Sequence, residues 1–283
     1  MLAFFTSDHH VGSEDRNAIT TTWKAAEDLQ PDVIIIGGDF LDCAELHKSR
    51  FDSPSPVTEL SLVQEIEIGK RLLAGLRARC PDARIIYLEG NHEARLLRGA
   101  ERAAPRLVKF LPTWPELLGL DEVGVHWLPY KEPWELDEWI FLHGVRYNVH
   151  AGRSVMQEYG RSVVQGHSHR LKMYSQTFGD GRTVYGIEAG HCHERKAHYT
   201  PRPTPDWQQG FVVLRKAGGQ WVPHLCPITD GSAPSSVAAL PGKAITTDRR
   251  DRDKLWRPIR EKLQEDLLLE YEGLIERKRK GGH

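Results

Sequence analysis

The chain has 283 residues, of which 40% are hydrophobic and 27% are charged, and its formal net charge is −1. Such values are ordinary for a globular protein, and a charge so close to zero gives no electrostatic case for bulk binding to nucleic acid or membrane. The four cysteines show no C-x-x-C spacing, and there is neither a secretory leader pattern nor an apolar run of about 20 residues. We therefore expect reduced thiols, no membrane association and a cytoplasmic location.

The first half of the chain alternates short apolar runs with helical patterns. Helices are predicted over Asn17–Asp28 and over Val57–Arg79, with Pro81 closing the second. Strand, helix and strand at this spacing predict an α/β layered core. Five apolar runs, each followed by glycine or a polar loop, predict buried strands at Leu2–Ser7, Val33–Ile36, Arg84–Leu88, Trp139–Leu142 and Ser162–Gln165.

The second half is predicted to add a second sheet and a separate C-terminal helix. Antiparallel strands are expected at Thr183–Glu188, Gly210–Arg215 and Gln220–Leu225, which completes a main domain over residues 1–228. Residues 229–247 are rich in Ser, Ala, Pro and Gly and are read as a linker. Residues 248–283 have the apolar periodicity of an amphipathic helix with a basic end. Packing on its own core, a homodimer contact and a nucleic-acid contact all remain open for this helix.

Metal-ligating side chains follow all five apolar runs of the first set. One Asp or His after a strand is more often an ordinary loop residue, but an ordered series of them predicts a dinuclear metal centre at the carboxyl ends of the strands. Mixed imidazole, carboxylate and amide donors suit manganese, with iron and zinc as alternatives. The clusters are Asp8 and His10 in DHHVG, Asp39 and Asp42 in GDFLD, Asn91 and His92 in GNHE, His143 in HG, and His167 and His169 in GHSH.

This ordered set resembles the calcineurin-like metallophosphoesterase superfamily over residues 8–169. The resemblance implies a two-sheet αββα sandwich, here with a C-terminal helical extension. It also implies a phosphoesterase in which His92 acts on the phosphate as general acid or charge stabiliser, while Asp42 orients His92. By the same resemblance the first metal is held by Asp8, His10, Asp39 and His169, and the second by Asp39 as bridge, Asn91, His143 and His167.

The resemblance further implies that a water bridging two divalent metals attacks phosphorus. Phosphate esters are the expected substrates, with phosphodiesters favoured because the chain resembles bacterial and phage-encoded members that neighbour the repair nucleases. A manganese-dependent DNA nuclease, or the nuclease subunit of a repair-type complex, is the alternative. A non-catalytic interaction scaffold is disfavoured because every ligand position and His92 are filled.

Substrate-binding residues are predicted in two places. Arg95 follows His92 by three residues, so it either binds phosphate at the mouth of the site or is a solvated helix residue. The segment Gly190–Trp207 is either a plain surface loop or a recognition wall, with His191 and Arg202 among its contacts. A separate zinc site within this segment, from His191, Cys192 and His193, is the least favoured reading.

Overall fold

The computed structural model describes residues 1–47, 60–194 and 206–233. These residues form two β-sheets with helices on both outer faces, which confirms the predicted α/β two-sheet fold. The helices are α1 (Arg16–Leu29), α2 (Leu62–Arg79), α3 (Arg95–Ala103), α4 (Trp114–Leu118) and α5 (Ala151–Tyr159), with 3-10 turns at Ala44–Leu46 and Pro105–Phe110.

The first sheet holds the strands that precede the first three motifs. Its members are β1 (Leu2–Thr6), β2 (Val33–Ile36), β3 (Arg84–Leu88), β4 (Val125–Leu128), β10 (Gly210–Ala217) and β11 (Gln220–Pro227). Their spatial order is β11-β10-β1-β2-β3-β4, with β1 to β4 parallel and β10 antiparallel to β1.

The second sheet holds the strands that precede the last two motifs. Its members are β5 (Trp134–Leu136), β6 (Trp139–Leu142), β7 (Ser162–Gln165), β8 (Leu171–Thr177) and β9 (Thr183–Ala189). The order is β5-β6-β7-β9-β8, and β6, β7 and β9 run parallel to one another. The carboxyl ends of β6 and β7 therefore lie at one edge of this sheet.

Alternating side chains along β1 and β2 serve two different cores. Phe5 and Ile35 point between the sheets, where they meet Phe141 of the second sheet. Phe4 and Ile34 point the other way, into the layer covered by the helices. All five are fully buried, at about 1.5–3 kcal/mol of transfer free energy each. Strands buried on both faces read as unbroken apolar runs, which is why their bounds were predicted closely.

Two of the strands predicted for the second sheet belong to the first. Gly210–Arg215 lies in β10, which pairs with β1, and Gln220–Leu225 lies in β11, which pairs with β10. The prediction was wrong because β10 is buried on both faces and its apolar pattern carries no partner information. Phe211 of β10 stacks on Phe4 at 4.8 Å between ring centroids.

Helix α2 begins later than predicted. Its first residue is Leu62, and Ser61 forms a capping box in which its hydroxyl accepts from the Gln64 amide while the Gln64 side chain accepts from the Ser61 amide. Leu60 and Ser61 are not helical, and Val57 lies outside the described residues. The cap, rather than the apolar periodicity, sets the start of the helix.

The start of the predicted linker is packed on the core. Thr229 and Ser232 form a turn, the Thr21 hydroxyl of α1 donates to the Gly231 carbonyl, and Ala233 packs against the core under the helices. The rest of the linker and the predicted helix over residues 248–283 lie outside the described residues. In the ranges that are described, no helix has the length and apolar content needed to cross a membrane.

Candidate metal centre

Five of the predicted ligands occupy left-handed backbone conformations. Their φ values lie between 47° and 65°, a region that non-glycine residues seldom enter and that is enriched at functional sites. Each follows a strand end, so the unusual φ bends the chain out of the sheet at the edge where the motifs meet. The residues are Asp8, His10, Asp39, His167 and His169.

Backbone hydrogen bonds hold the motif loops together. The His10 amide donates to the Asp39 carbonyl at 3.0 Å, and the His92 amide donates to Oδ1 of Asp39 at 2.9 Å. The His167 amide donates to Oδ2 of Asp8 at 2.9 Å, which joins the second sheet to the first. These hydrogen bonds hold the backbone of the motif loops and the carboxylates of Asp8 and Asp39 in place.

Two motif positions have no room for a side chain. A Cβ at Gly90 would lie 2.1 Å from Oδ1 of Asp39, and a Cβ at Gly166 would lie 1.9 Å from Oγ of Ser7. Both distances are far inside van der Waals contact. Glycine is required at these positions because the backbone passes directly against neighbouring groups of the site.

One group of donors gathers around Asp39 and His143. Nε2 of His143 lies 2.9 Å from Oδ1 of Asn91 and 3.3 Å from Oδ2 of Asp39. Donor atoms of Asp39, His143 and His167 all lie within 4.8 Å of one another. This group contains the four residues expected to hold the second metal.

A second group gathers around His10 and His169. Nε2 of His169 lies 3.2 Å from Oδ1 of Asp8, and the His10 and His169 rings are 5.3 Å apart. His10 also belongs to a donor group with Asp39 and His92 and to another with His169 and His193, each within 4.8 Å. The structure thus brings together the residues expected to hold the first metal and adds His193 to them.

The imidazoles are oriented so that one nitrogen is left for an ion. Nδ1 of His143 lies 2.8 Å from the Gly37 carbonyl, and Nδ1 of His10 lies 3.1 Å from Oδ1 of Asp42. Carbonyl and carboxylate oxygens only accept, so Nδ1 of each ring carries a proton, and Nε2 is the nitrogen that an ion would take. Nε2 of His10 is buried and has no hydrogen-bond partner among the described residues, so the donor set fits a divalent ion.

The buried charges of Asp39 and the neighbouring histidines stabilise one another. Burial opposes the ionised form of Asp39, but the charges of His143 and His92 keep the pKa of this carboxyl well below its usual range. Burial would lower the pKa of His143, yet the charge of Asp39 and a hydrogen bond to it raise that pKa to about 9. Burial and the neighbouring His143 lower the pKa of His167 to about 4. Without ions, His143 is the main countercharge of Asp39.

Asp42 lies beside His92. Nδ1 of His92 donates to the Asp42 carbonyl at 2.7 Å and lies 3.2 Å from its Oδ1, while Nε2 lies 3.7 Å from Oδ2 of Asp39. Burial would lower the pKa of His92, but the charge of Asp39 and the hydrogen bond to Asp42 raise it. Arg95 donates from Nη1 to the Asp42 carbonyl at 3.0 Å. It supports the loop there, and its contact with substrate stays a prediction.

Glu93 ties the motif loops to each other, a role that the sequence reading missed although Glu93 stands inside GNHE. Its fully buried carboxylate accepts from the Phe40 and Leu41 amides at 2.7 and 2.9 Å and from the Tyr87 hydroxyl at 2.8 Å. It also accepts from the Gly90 amide at 3.1 Å. Nothing in the sequence pattern separates such a bracing carboxylate from a catalytic one.

The described start of the segment after β9 packs against the motif loops. His191 is fully buried and stacks on His193 at 4.0 Å between centroids, so it is packed behind His169 rather than presented to substrate. His191 is buried because the loop bonds back onto the motif loops, with the Cys192 amide donating to the Asp8 carbonyl at 3.0 Å. Arg202 lies outside the described residues.

Comparison with known proteins agrees with this geometry. A family model described as calcineurin-like phosphoesterase matches residues 1–211. Gene 54 proteins of Mycobacterium phages D29 and L5 are each 30% identical, over 240 and 248 residues, with 80% of this chain and 92% of each relative covered.

Similar solved structures share only low sequence identity with the chain. Zn²⁺-complexed Vps29 from Entamoeba histolytica is 12% identical with a TM-score of 0.42, covering 83% of this chain and 96% of that one. The phosphoesterase YfcE from E. coli is 14% identical with a TM-score of 0.35, covering 76% and 88%.

Proposed function

The chain belongs to the calcineurin-like phosphoesterase family, and on that premise we propose that it is a dinuclear-metal-dependent phosphodiesterase. The observation that carries the proposal is the convergence of imidazole, carboxylate and amide donors from both sheets on Asp39. One ion would be held by Asp8, His10, Asp39 and His169, and the other by Asp39, Asn91, His143 and His167.

Bound divalent ions would supply Lewis-acid polarisation of the phosphoryl oxygens and a water of lowered pKa. The chain itself supplies a proton near the leaving oxygen. The His92 side chain is 13% exposed, compared with 1% for His10 and His143, so it is the more accessible ring. With Nδ1 committed to the Asp42 carbonyl, protonated His92 holds its second proton on Nε2. His92 is therefore proposed as the general acid.

Manganese is the proposed metal, with iron and zinc as alternatives. The donor set mixes imidazole nitrogen with carboxylate and amide oxygen, a combination that these three ions accept. The four cysteines are free thiols buried elsewhere in the core, and none belongs to the donor groups of the described residues. Unpaired thiols also agree with the expected cytoplasmic setting.

A substrate panel tests the proposed activity. Purified protein with Mn²⁺ would be assayed against a chromogenic phosphodiester, the matching monoester, and single- and double-stranded DNA, with Asp39→Asn as the inactive control. We expect turnover of the diester to exceed that of the monoester and to vanish in the control. Preference for the monoester would reject the diesterase proposal, and no turnover of any ester would support the scaffold alternative.

A second candidate, a nuclease, is favoured by one surface. The segment Arg95–Phe110, which starts next to His92, contains no buried residue in its two helical pieces. It carries five basic residues and one acidic residue, a local charge of +4 in a chain whose formal net charge is −1. Such a surface beside a phosphoesterase site suits a polyanionic strand. The basic residues are Arg95, Arg98, Arg102, Arg106 and Lys109.

A further inference from the structure

His193 lies at the back of the candidate metal centre on a firmly held backbone. It is fully buried, and its neighbour Glu194 donates its amide to the Ser13 carbonyl at 3.0 Å. Gln209 donates from Nε2 to the His193 carbonyl at 3.0 Å and to Oδ2 of Asp15 at 2.8 Å. These contacts fix the ring of His193 against the motif loops, and the sequence pattern assigned it no role in the phosphoesterase site.

The hydrogen bonds of His193 define which of its nitrogens carries the proton. Nδ1 lies 2.6 Å from the Glu194 carbonyl, which only accepts, so Nδ1 is the donor. The ring contacts His10, His191 and Trp207, none of which is negatively charged, so burial favours the neutral imidazole. Nε2 of His193 is then an acceptor.

Nε2 of His193 faces His169, one of the predicted metal ligands. Nε2 of His193 lies 3.0 Å from Nδ1 of His169, and a hydrogen bond between two ring nitrogens requires one of them to donate. Because His193 accepts, Nδ1 of His169 carries the proton. Nε2 of His169, which points at Asp8, then keeps its lone pair for an ion. A metal-ligating histidine usually donates its other ring N–H to such a partner.

The same arrangement recurs at other ligands with different acceptors. His10 donates from Nδ1 to the Asp42 carboxylate, and His143 donates from Nδ1 to the Gly37 carbonyl. At His169 the acceptor is a neutral imidazole instead. His193 thus occupies, for His169, the position that Asp42 occupies for His10.

We propose that His193 is a positioning residue for the first metal site, where its Nε2 accepts from Nδ1 of His169 and holds Nε2 of that ring towards Asp8 and His10. This inference rests on the proposed dinuclear function and deepens it. In this role His193 acts through His169 rather than on the substrate.

Titration calorimetry of metal-stripped protein with Mn²⁺ tests the role of His193. The native chain should show two sites, and His193→Leu should weaken one of them by about 10–100-fold and leave the other unchanged. His193→Gln should recover part of the loss, because its amide oxygen can accept from His169. His193→Asn is polar but too short to reach His169, so it should show the same loss of affinity and replaces the Leu variant if that variant misfolds. His126→Leu, at an exposed histidine on β4, is the control.

Three results would count against the role of His193. Unchanged Mn²⁺ affinity at both sites in the folded Leu and Asn variants would show that His193 does not influence His169. A third site in the native chain that is absent from the variants would make His193 a ligand of its own. If His193 only positions His169, excess Mn²⁺ should restore diesterase turnover in the Leu variant. Turnover that stays low at excess Mn²⁺ would contradict the positioning role. A native chain that binds no metal would instead reject the proposed function itself.

Discussion

Oδ1 of Asp42 lies 3.1 Å from Nδ1 of His10, in a contact where both side chains are almost completely buried. Burial opposes ionisation of this carboxyl, but hydrogen bonds from His10 and His92 hold its pKa well below the usual range. Asp42 therefore stays charged across the physiological range and fixes the orientation of two imidazoles. The sequence pattern predicted only the link to His92.

Asp42→Asn should weaken both metal binding and turnover. Loss of the carboxylate removes the charged acceptor that sets the His10 ring, and such substitutions typically cause about 10–100-fold losses in metal affinity or activity. Mn²⁺ titration and initial rates on the diester would measure the two effects. Asp28→Asn, at an exposed residue of α1 paired with Lys24, is the control. Native affinity together with native turnover in Asp42→Asn would contradict the orienting role.

His92→Ala should lose turnover while keeping its metals. A positioned acid contributes about 10²–10⁴-fold, and the ring donates to the Asp42 carbonyl rather than completing either proposed ligand set. Turnover should be measured on a diester with a poor leaving group, because a good one does not need protonation. Elemental analysis would show whether both metals remain. An unchanged rate on the poor leaving group would remove His92 from the mechanism.

Glu65 should make stability fall as pH rises. This carboxyl is 2% exposed, and its Oε2 accepts from the Cys43 amide at 2.7 Å. Burial raises its pKa from 4.5 to about 8. The folded state thus holds the proton more tightly than the unfolded chain. The resulting stability is fully present below pH 4.5 and is lost as the pH approaches 8.

The contribution of Glu65 is measured as the difference in melting temperature between a variant and the native chain at each pH. Glu65→Gln removes the titrating group, so its melting temperature should rise relative to native between pH 5 and pH 8, in the same buffers and metal state. Glu67→Gln, on the same helix with a side chain 53% exposed, should show a constant difference from native. A constant difference for Glu65→Gln as well would mean that this carboxyl does not titrate in the folded range.

The basic surface over Arg95–Phe110 should matter for DNA and not for small diesters. Arg102→Ala combined with Arg106→Ala should weaken single-stranded DNA binding and reduce the slope of log affinity against log salt by about 1 per removed contact. Turnover of the chromogenic diester should remain within about twofold because neither residue lies in the donor groups. Lys24→Ala combined with Arg182→Ala, both exposed and outside the segment, is the matched control. Equal effects of the two pairs on DNA would contradict the nuclease candidate.

The sequence predicted the buried strands before the motifs well because such strands depend on local pattern. Val33–Ile36 and Ser162–Gln165 are buried on both faces, so their apolar runs end where the strands end. Strand pairing is set by contacts distant in sequence, which is why Gly210–Arg215 was assigned to the wrong sheet. β8, by contrast, alternates half-buried and exposed residues after Leu171, lies on an edge of the sheet and was not predicted at all.

The supporting residues of the site were harder to predict than its donors. Glu93 and His193 act through contacts with Phe40, Leu41 and His169, which lie 24 to 53 positions away along the chain. A motif records which residue types are required at strand ends, but it contains no information on what stands behind them. The spacing His191, Cys192, His193 attracted notice as a separate zinc site, and only the fold shows that His193 faces His169.

Anomalous diffraction from crystals grown with Mn²⁺ tests the central claim most directly. The account predicts two anomalous peaks about 3.5–4 Å apart, with Asp39 between them. One peak should be contacted by Asp8, His10 and His169, and the other by Asn91, His143 and His167. A single peak at full occupancy under saturating Mn²⁺, or two peaks that do not share Asp39, would contradict a dinuclear centre bridged by this carboxylate.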